Sequence, residues 1–182
     1  MKNFNFIAMA VATLVAGLWG FAPGASAQGV SISTNVVDYA ESGGANVEAA
    51  YGVTRHWSLN AGMKYDSGGD VRQQLYSFGE RFWPWYTYSG WWLGAKMQYQ
   101  EFNRRVDWGE RATEGDRYGA GFAGGYSRML SKHLNVDLGL GVWAGKVKYV
   151  TYACATCGRR VDSGTKYFLL PNDIMIALSF IF

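Results

Sequence analysis

Long apolar runs are scarce in this chain, and only its first stretch offers one. No second run approaches the roughly 20 residues that a membrane-crossing helix requires, which excludes a helical membrane protein. Proline is nearly missing, at 3 of 182 residues. Adjacent basic residues are limited to Arg104-Arg105 and Arg159-Arg160, each in an expected loop, so nothing points to a nucleic-acid partner. Cysteine is confined to Cys154 and Cys157, and histidine to His56 and His133. Few groups are therefore left for a metal centre or for a nucleophile with its base.

What is present begins with the first residues. Lys2 gives a short positive region, Ile7 to Phe21 is apolar over about 15 residues, and Pro23-Gly24 breaks it. Ala25-Ser26-Ala27 then supplies the small-x-small pattern that signal peptidase reads. Residues 1–27 are expected to be a cleaved signal peptide and 28–182 a single domain. The residue after Ala27 is Gln28 and not cysteine, which argues against a lipoprotein anchor. The mature chain would carry 16 basic and 14 acidic residues, mixed along its length. Glycine (24 residues) and aromatics (16%) are abundant. Export, glycine, aromatics and the lack of a spanning helix leave two classes: a secreted β-domain or an outer-membrane barrel.

The dominant hydrophobic period is two, the signature of strands. From Leu134 to Ala144 one face reads Leu, Val, Leu, Leu, Val, Ala and the other is polar or glycine up to Trp143. The pattern recurs over Trp57–Tyr65, Trp91–Tyr99, Tyr118–Tyr126 and Ile174–Phe182. Eight strands are expected, near 29–38, 45–53, 57–66, 73–83, 91–102, 116–129, 134–150 and 165–182. Two spots are irregular. Glu80 and Arg81 are adjacent, so one charge faces the wrong way or a bulge intervenes. Pro171 cannot donate to a ladder, which predicts a bulge or kink. Short turns at Thr54-Arg55-His56 and Leu130-Ser131-Lys132-His133 alternate with longer polar loops at 103–115 and 151–164. That asymmetry belongs to bacterial outer-membrane barrels. The expected fold class is all-β: an antiparallel eight-stranded transmembrane barrel in the bacterial outer membrane.

Alternation alone does not say which face is inside, and a soluble lipocalin-like barrel alternates too. Three features put the apolar face outside. The opposite face is glycine, serine, alanine, asparagine and balanced charge, suited to a narrow eight-stranded lumen. Glu48, Asn60, Lys64, Lys96, Gln98 and Asp137 are expected to form a polar network there, the four charges pairing with one another and with Asn60, Gln98, Gln100 and Asn135. Trp57, Tyr65, Trp83, Trp85, Trp91, Tyr99 and Tyr118 gather at strand ends, as aromatic girdles do. Finally, Phe180 and Phe182 end an alternating strand, resembling the signal read by outer-membrane assembly machinery. Lipid and that machinery are the expected partners.

Arg81-Phe82-Trp83-Pro84-Trp85, Tyr88-Ser89-Gly90-Trp91-Trp92-Leu93-Gly94, Gly115-Asp116-Arg117-Tyr118-Gly119-Ala120-Gly121 and Tyr152-Ala153-Cys154-Ala155-Thr156-Cys157-Gly158 follow one another in order. Together they resemble a Bacteroidota family catalogued as a domain of unknown function, DUF3575, across nearly all of residues 30–182. The resemblance implies a small outer-membrane barrel, often encoded near fimbrial genes. It implies no activity and carries no catalytic residues.

The remaining motifs have bland readings beside their functional ones. Cys154 and Cys157 read as a loop disulfide in an oxidising compartment; a thioredoxin-type dithiol would need a βαβ context. His56 and His133 sit in tight turns beside basic residues, a poor setting for acid–base catalysis. Arg104, Arg105, Trp108 and Arg111 form a candidate partner-binding loop, since long loops on a rigid barrel tend to carry function. The expectation is a non-catalytic structural or interaction module of the envelope, with no cofactor or metal, accessory to fimbrial or other surface assemblies. The alternatives are an outer-membrane lipid-modifying enzyme and a secreted soluble ligand-binding barrel.

Overall fold

The computed structural model describes residues 29–42, 44–66, 71–105, 111–154 and 158–182. Eight antiparallel strands close into a barrel in sequence order. They are β1 (Val30–Asn35), β2 (Ala45–Gly52), β3 (Trp57–Asp66), β4 (Val71–Phe82), β5 (Gly90–Arg105), β6 (Ala112–Met129), β7 (Leu134–Tyr152) and β8 (Arg160–Ile181). One short helix, α1 (Val36–Ser42), joins β1 to β2. The eight-stranded antiparallel barrel expected from the alternation is the observed fold.

A strand sends successive side chains to opposite faces, so each alternating segment divides between lumen and exterior. On β7, Leu138, Leu140 and Val142 are exposed while Asn135, Asp137 and Trp143 are buried. The small residues on the inward face make room for large ones. A Cβ at Gly139 would come within 2.8 Å of the Trp92 ring.

The register fixes the tilt. From Ser31 the pairings run through Ala50, Asn60, Gly79, Lys96, Gly121 and Trp143 to Leu170. Yet β1 itself pairs Ser31 with Ile181. Leu170 and Ile181 are eleven residues apart, one of which belongs to a bulge, leaving a stagger of ten. For eight strands this corresponds to a tilt of about 40° and a lumen only wide enough for side chains.

The walls are uneven. From β1 to β8 the strands hold 6, 8, 10, 12, 16, 18, 19 and 22 residues. The rim carrying the turns at 53–56, 83–89 and 130–133, together with Gly29 and Phe182, is level; we call it the terminal rim. The opposite loop rim climbs as a ramp from β1 to β8 and drops at the β8–β1 seam.

Several expectations are corrected here. The first strand ends at Asn35 rather than 38, because the Asn35 side-chain oxygen accepts the Val37 amide at 3.3 Å and starts α1. Asp38 then sits favourably in the first helical turn. The segments 103–115 and 151–164 are about half strand: β5 runs to Arg105, β6 starts at Ala112, β7 runs to Tyr152 and β8 starts at Arg160. Of the two readings for Glu80 and Arg81 the first holds, since β4 pairs in unbroken register with both neighbours and one of the two charges faces outward. Arg81 is buried and Glu80 is exposed. Beside Pro171 the expected irregularity is present, as the β7–β8 register slips between Gly139–Met175 and Gly141–Asn172.

Candidate functional site: the filled lumen and its two rims

The terminal end of the lumen is closed by aromatic rings. Parity on β4 turns Trp83 inward after Arg81, and it is 1% exposed. Its Nε1 donates to Ser58 Oγ at 2.9 Å, and its ring lies 5.8 Å from Tyr88 and 6.3 Å from Trp92. This corrects the reading of Trp83 as a girdle residue. Tyr88 holds a φ of 68°, a left-handed conformation unfavourable for an aromatic residue. Its hydroxyl donates to the Gly29 carbonyl at 2.9 Å and its own carbonyl accepts from Asn135 Nδ2 at 2.6 Å. Burial pushes the Tyr88 hydroxyl up to about 12.

The sign of that shift sets a prediction. An unfolded tyrosine ionises near 10, so Tyr88 favours the folded state below that pH and loses its contribution as pH rises through about 12. In an absorbance titration of the folded barrel, the difference between wild type and Tyr88→Phe should be one tyrosine ionising above pH 11. A difference step near pH 10 would mean that the hydroxyl is solvated.

The two histidine turns are structural copies of each other. In one, Val53 N and Thr54 N donate to the Trp57 carbonyl; in the other, Leu130 N and Ser131 N donate to the Leu134 carbonyl. His56 Nδ1 meets the Trp83 carbonyl at 2.9 Å, and His133 Nδ1 meets the Ile181 carbonyl at 2.8 Å. A carbonyl only accepts, so each Nδ1 carries the proton. Each histidine latches a turn to the end of the next strand but one.

Further in, the charges pair differently from the sequence expectation. Glu48 bonds Arg81, not another of the four expected charges. The Arg81 guanidinium also lies 4.6 Å from the Trp92 ring centre. Lys64 bonds Asp38 of α1 at 2.6 Å, so the helix is tied down over the low side of the barrel. Asp137 accepts from Ser127 and Ser179. Asn60 and Gln98 are buried and Lys96 is half-buried, with Asn60 and Lys96 lining a cavity of about 80 Å³ that Glu48, Arg81 and Trp92 also line. That is room for a few waters. Arg81 and Asp38, which sequence reasoning missed, complete these two ion pairs; the parity of β4 pointed to Arg81, whereas nothing in the local pattern marked Asp38.

Toward the loop rim a polar chain crosses the barrel. Gln73 Nε2 donates to Asp66 at 3.1 Å, Gln100 Nε2 to Gln73 at 2.8 Å, and Arg117 Nη1 to Gln100 at 3.3 Å. Burial, with Arg104 as a lesser cause, holds the Arg117 guanidinium below its usual range. Of the candidate partner-binding group, Arg104 and Arg111 are exposed, and Arg104 lies on β5 rather than in a loop. Arg105 ends β5, with its side chain outside the described residues; Trp108 also lies outside them. Cys154 is half-buried just past β7, and Cys157 lies outside the described residues, as do residues 1–28. Among the described residues, no cluster of histidine, cysteine and acidic groups could hold a metal.

The outer face is banded. Trp57 and Tyr65 on β3, Trp91 and Tyr99 on β5, and Tyr126 and Tyr118 on β6 are exposed aromatics eight positions apart. The outward positions between them are apolar: Leu59, Ala61 and Met63; Leu93, Ala95 and Met97; Gly124, Phe122 and Ala120. Beyond Tyr99 and Tyr118 the same faces turn to Glu101 and Asp116. Phe180 and Phe182 are also exposed on the outer face, their rings 5.0 Å apart, and Phe180 stacks on His133.

Register, packing and banding together define a small closed β-barrel, apolar outside and filled with ion-paired and hydrogen-bonded side chains. The family model of a protein of unknown function, DUF3575, matches residues 11–182, and the chain belongs to that family. Comparison with curated proteins returns no match.

Proposed function

We propose that this protein is a bacterial outer-membrane barrel, exported by cleavage after Ala27, that acts without catalysis as a structural and interaction module of the envelope. The observation that carries this reading is the banding of the outer face. On three strands a stretch of nine residues begins and ends on an exposed tryptophan or tyrosine and is apolar at the outward positions between them. Nine to eleven residues is the length with which a tilted strand crosses a bilayer. Aromatic girdles with polar residues just beyond mark its two interfaces. In this orientation the terminal rim faces the periplasm and the ramped rim faces outward. Phe180 and Phe182 present the closing strand to the assembly machinery. Cys154 and Cys157 close a small disulfide ring in the oxidising exterior, and the exposed loop rim serves partner proteins, including surface or fimbrial assemblies.

Leu138 tests the orientation. It is 49% exposed and lies midway along the apolar stretch of β7. In lipid vesicles, Leu138→Arg should cost about 2–4 kcal/mol in urea unfolding. The barrel should also fractionate with the outer membrane and change gel mobility on heating. Release with the periplasm, together with a harmless Leu138→Arg, would overturn the reading.

A further inference from the structure

At the seam the tallest wall stands beside the lowest. β1 pairs with β8 only from Ser31–Ile181 to Asn35–Ala177. Just above, Asn35 caps the exposed edge: its Nδ2 donates to the Ile174 carbonyl at 3.5 Å and its Oδ1 accepts from Ile176 N at 3.0 Å. Higher still, from Arg160 to Pro171, β8 is paired only with β7 among the described residues.

Which backbone groups face the open side follows from the ladder. Ile181 N donates to the His133 carbonyl, while Leu130 N donates to the Leu134 carbonyl. Odd-numbered β7 residues thus bond β8, and even-numbered ones bond β6. Above the bulge Trp143 opposes Leu170, Gly145 opposes Phe168, and Val147 opposes Lys166. Even-numbered β8 residues therefore bond β7. Ser163, Thr165, Tyr167 and Leu169 turn their N–H and C=O groups to the open side, up to a second register shift at Thr151–Tyr152 that bulges Val161. Pro171 falls on the same side, where its missing N–H costs no ladder bond.

Proteins normally blunt such an edge with charge, proline or a short strand. Here the four open positions above Pro171 hold no charge and no proline, and two of them, Thr165 and Tyr167, favour strands. Tyr167 is 81% and Leu169 72% exposed. The two charges on the inner face of this stretch are engaged within the sheet. Lys166 Nζ lies 4.9 Å from the Tyr149 ring centre, and Asp162 accepts from the Tyr149 hydroxyl at 3.3 Å. Neither is left to guard the edge.

We infer that the open edge of β8 over 163–169 is a docking site for an extended strand of another surface polypeptide, which adds to the sheet by backbone pairing. A row of alternating donors and acceptors is matched only by an extended backbone. Tyr167 and Leu169 select apolar side chains at alternate positions of the incoming strand. A second copy does not fit. Resting on the outer-membrane orientation proposed above, two barrels in one membrane run β8 in the same sense and cross at twice the tilt, which prevents a ladder.

The test uses the full chain. In the barrel refolded into detergent micelles, NMR should show the amides of Ser163, Thr165, Tyr167 and Leu169 exchanging faster than those of Gly164, Lys166 and Phe168, on the order of 100-fold. Equal protection of both sets would mean the chain already covers its own edge, and would overturn the inference. In native outer membranes, a photo-crosslinking residue at Ser163 should join an extended segment of a different protein. The double variant Thr165→Pro with Tyr167→Pro, which deletes only open-side donors, should abolish that adduct. Adducts to lipid or to a second copy, or an adduct that survives the prolines, would overturn it. If the barrel is instead found in the soluble fraction, the membrane reading fails by itself while the exchange pattern still reports on the edge.

Discussion

Trp83→Ala should lower the unfolding free energy by about 3–5 kcal/mol, the usual loss when a fully buried tryptophan is truncated. The ring is the floor of the lumen. It touches Tyr88 and Trp92 and holds the Ser58 hydroxyl. Urea unfolding in micelles measures the effect. Trp83→Phe should recover most of it, falling short by about 1 kcal/mol for the lost hydrogen bond. If Trp83→Ala costs no more than an exposed-girdle change such as Trp91→Ala, then Trp83 faces outward after all.

Arg81→Ala should cost a comparable 3–5 kcal/mol, because it leaves the Glu48 carboxylate enclosed without its cation. Both side chains are largely sheltered, with 10% and 18% of their surface exposed. The pair itself contributes much less than its disruption costs, since two charges had to be desolvated to form it. Replacing both residues, as Glu48→Gln with Arg81→Met, should therefore recover most of the loss. Parallel unfolding curves of the single and double variants decide the matter. A double variant as weak as Arg81→Ala would show that the guanidinium acts through Trp92 rather than through Glu48.

The sequence revealed much of the barrel because one rule governs it. Alternation alone sorts Leu134–Ala144 into an outer aliphatic row and an inner polar row, and the same rule puts Glu48, Asn60, Lys64, Lys96, Gln98 and Asp137 inside. It would also have put Trp83 inside, had parity been followed from Arg81 across the end of β4 instead of grouping aromatics by their place near strand ends. Three features were illegible for physical reasons. The pairing of Lys64 with Asp38 depends on where α1 folds, and seven residues with no helical repeat carry no such signal. The reach of β8 back to Arg160 and of β6 back to Ala112 rests on residues such as Asp162, Ser163, Thr113 and Glu114, which look like loop when read singly. Which charges pair across the lumen follows from a stagger of ten, a property of closure that no single strand contains.

The ramp also gives the barrel a mechanical direction. β1 is held by four paired positions on one side and five on the other, whereas β7 and β8 share eighteen. A force applied at Gly29 peels away a six-residue strand against two short ladders. The same force at Phe182 must first break those five pairs and then unzip a ladder of eighteen. The barrel should therefore yield at low load from its amino end and hold from its carboxyl end, so any tether that must bear tension is best joined to β8.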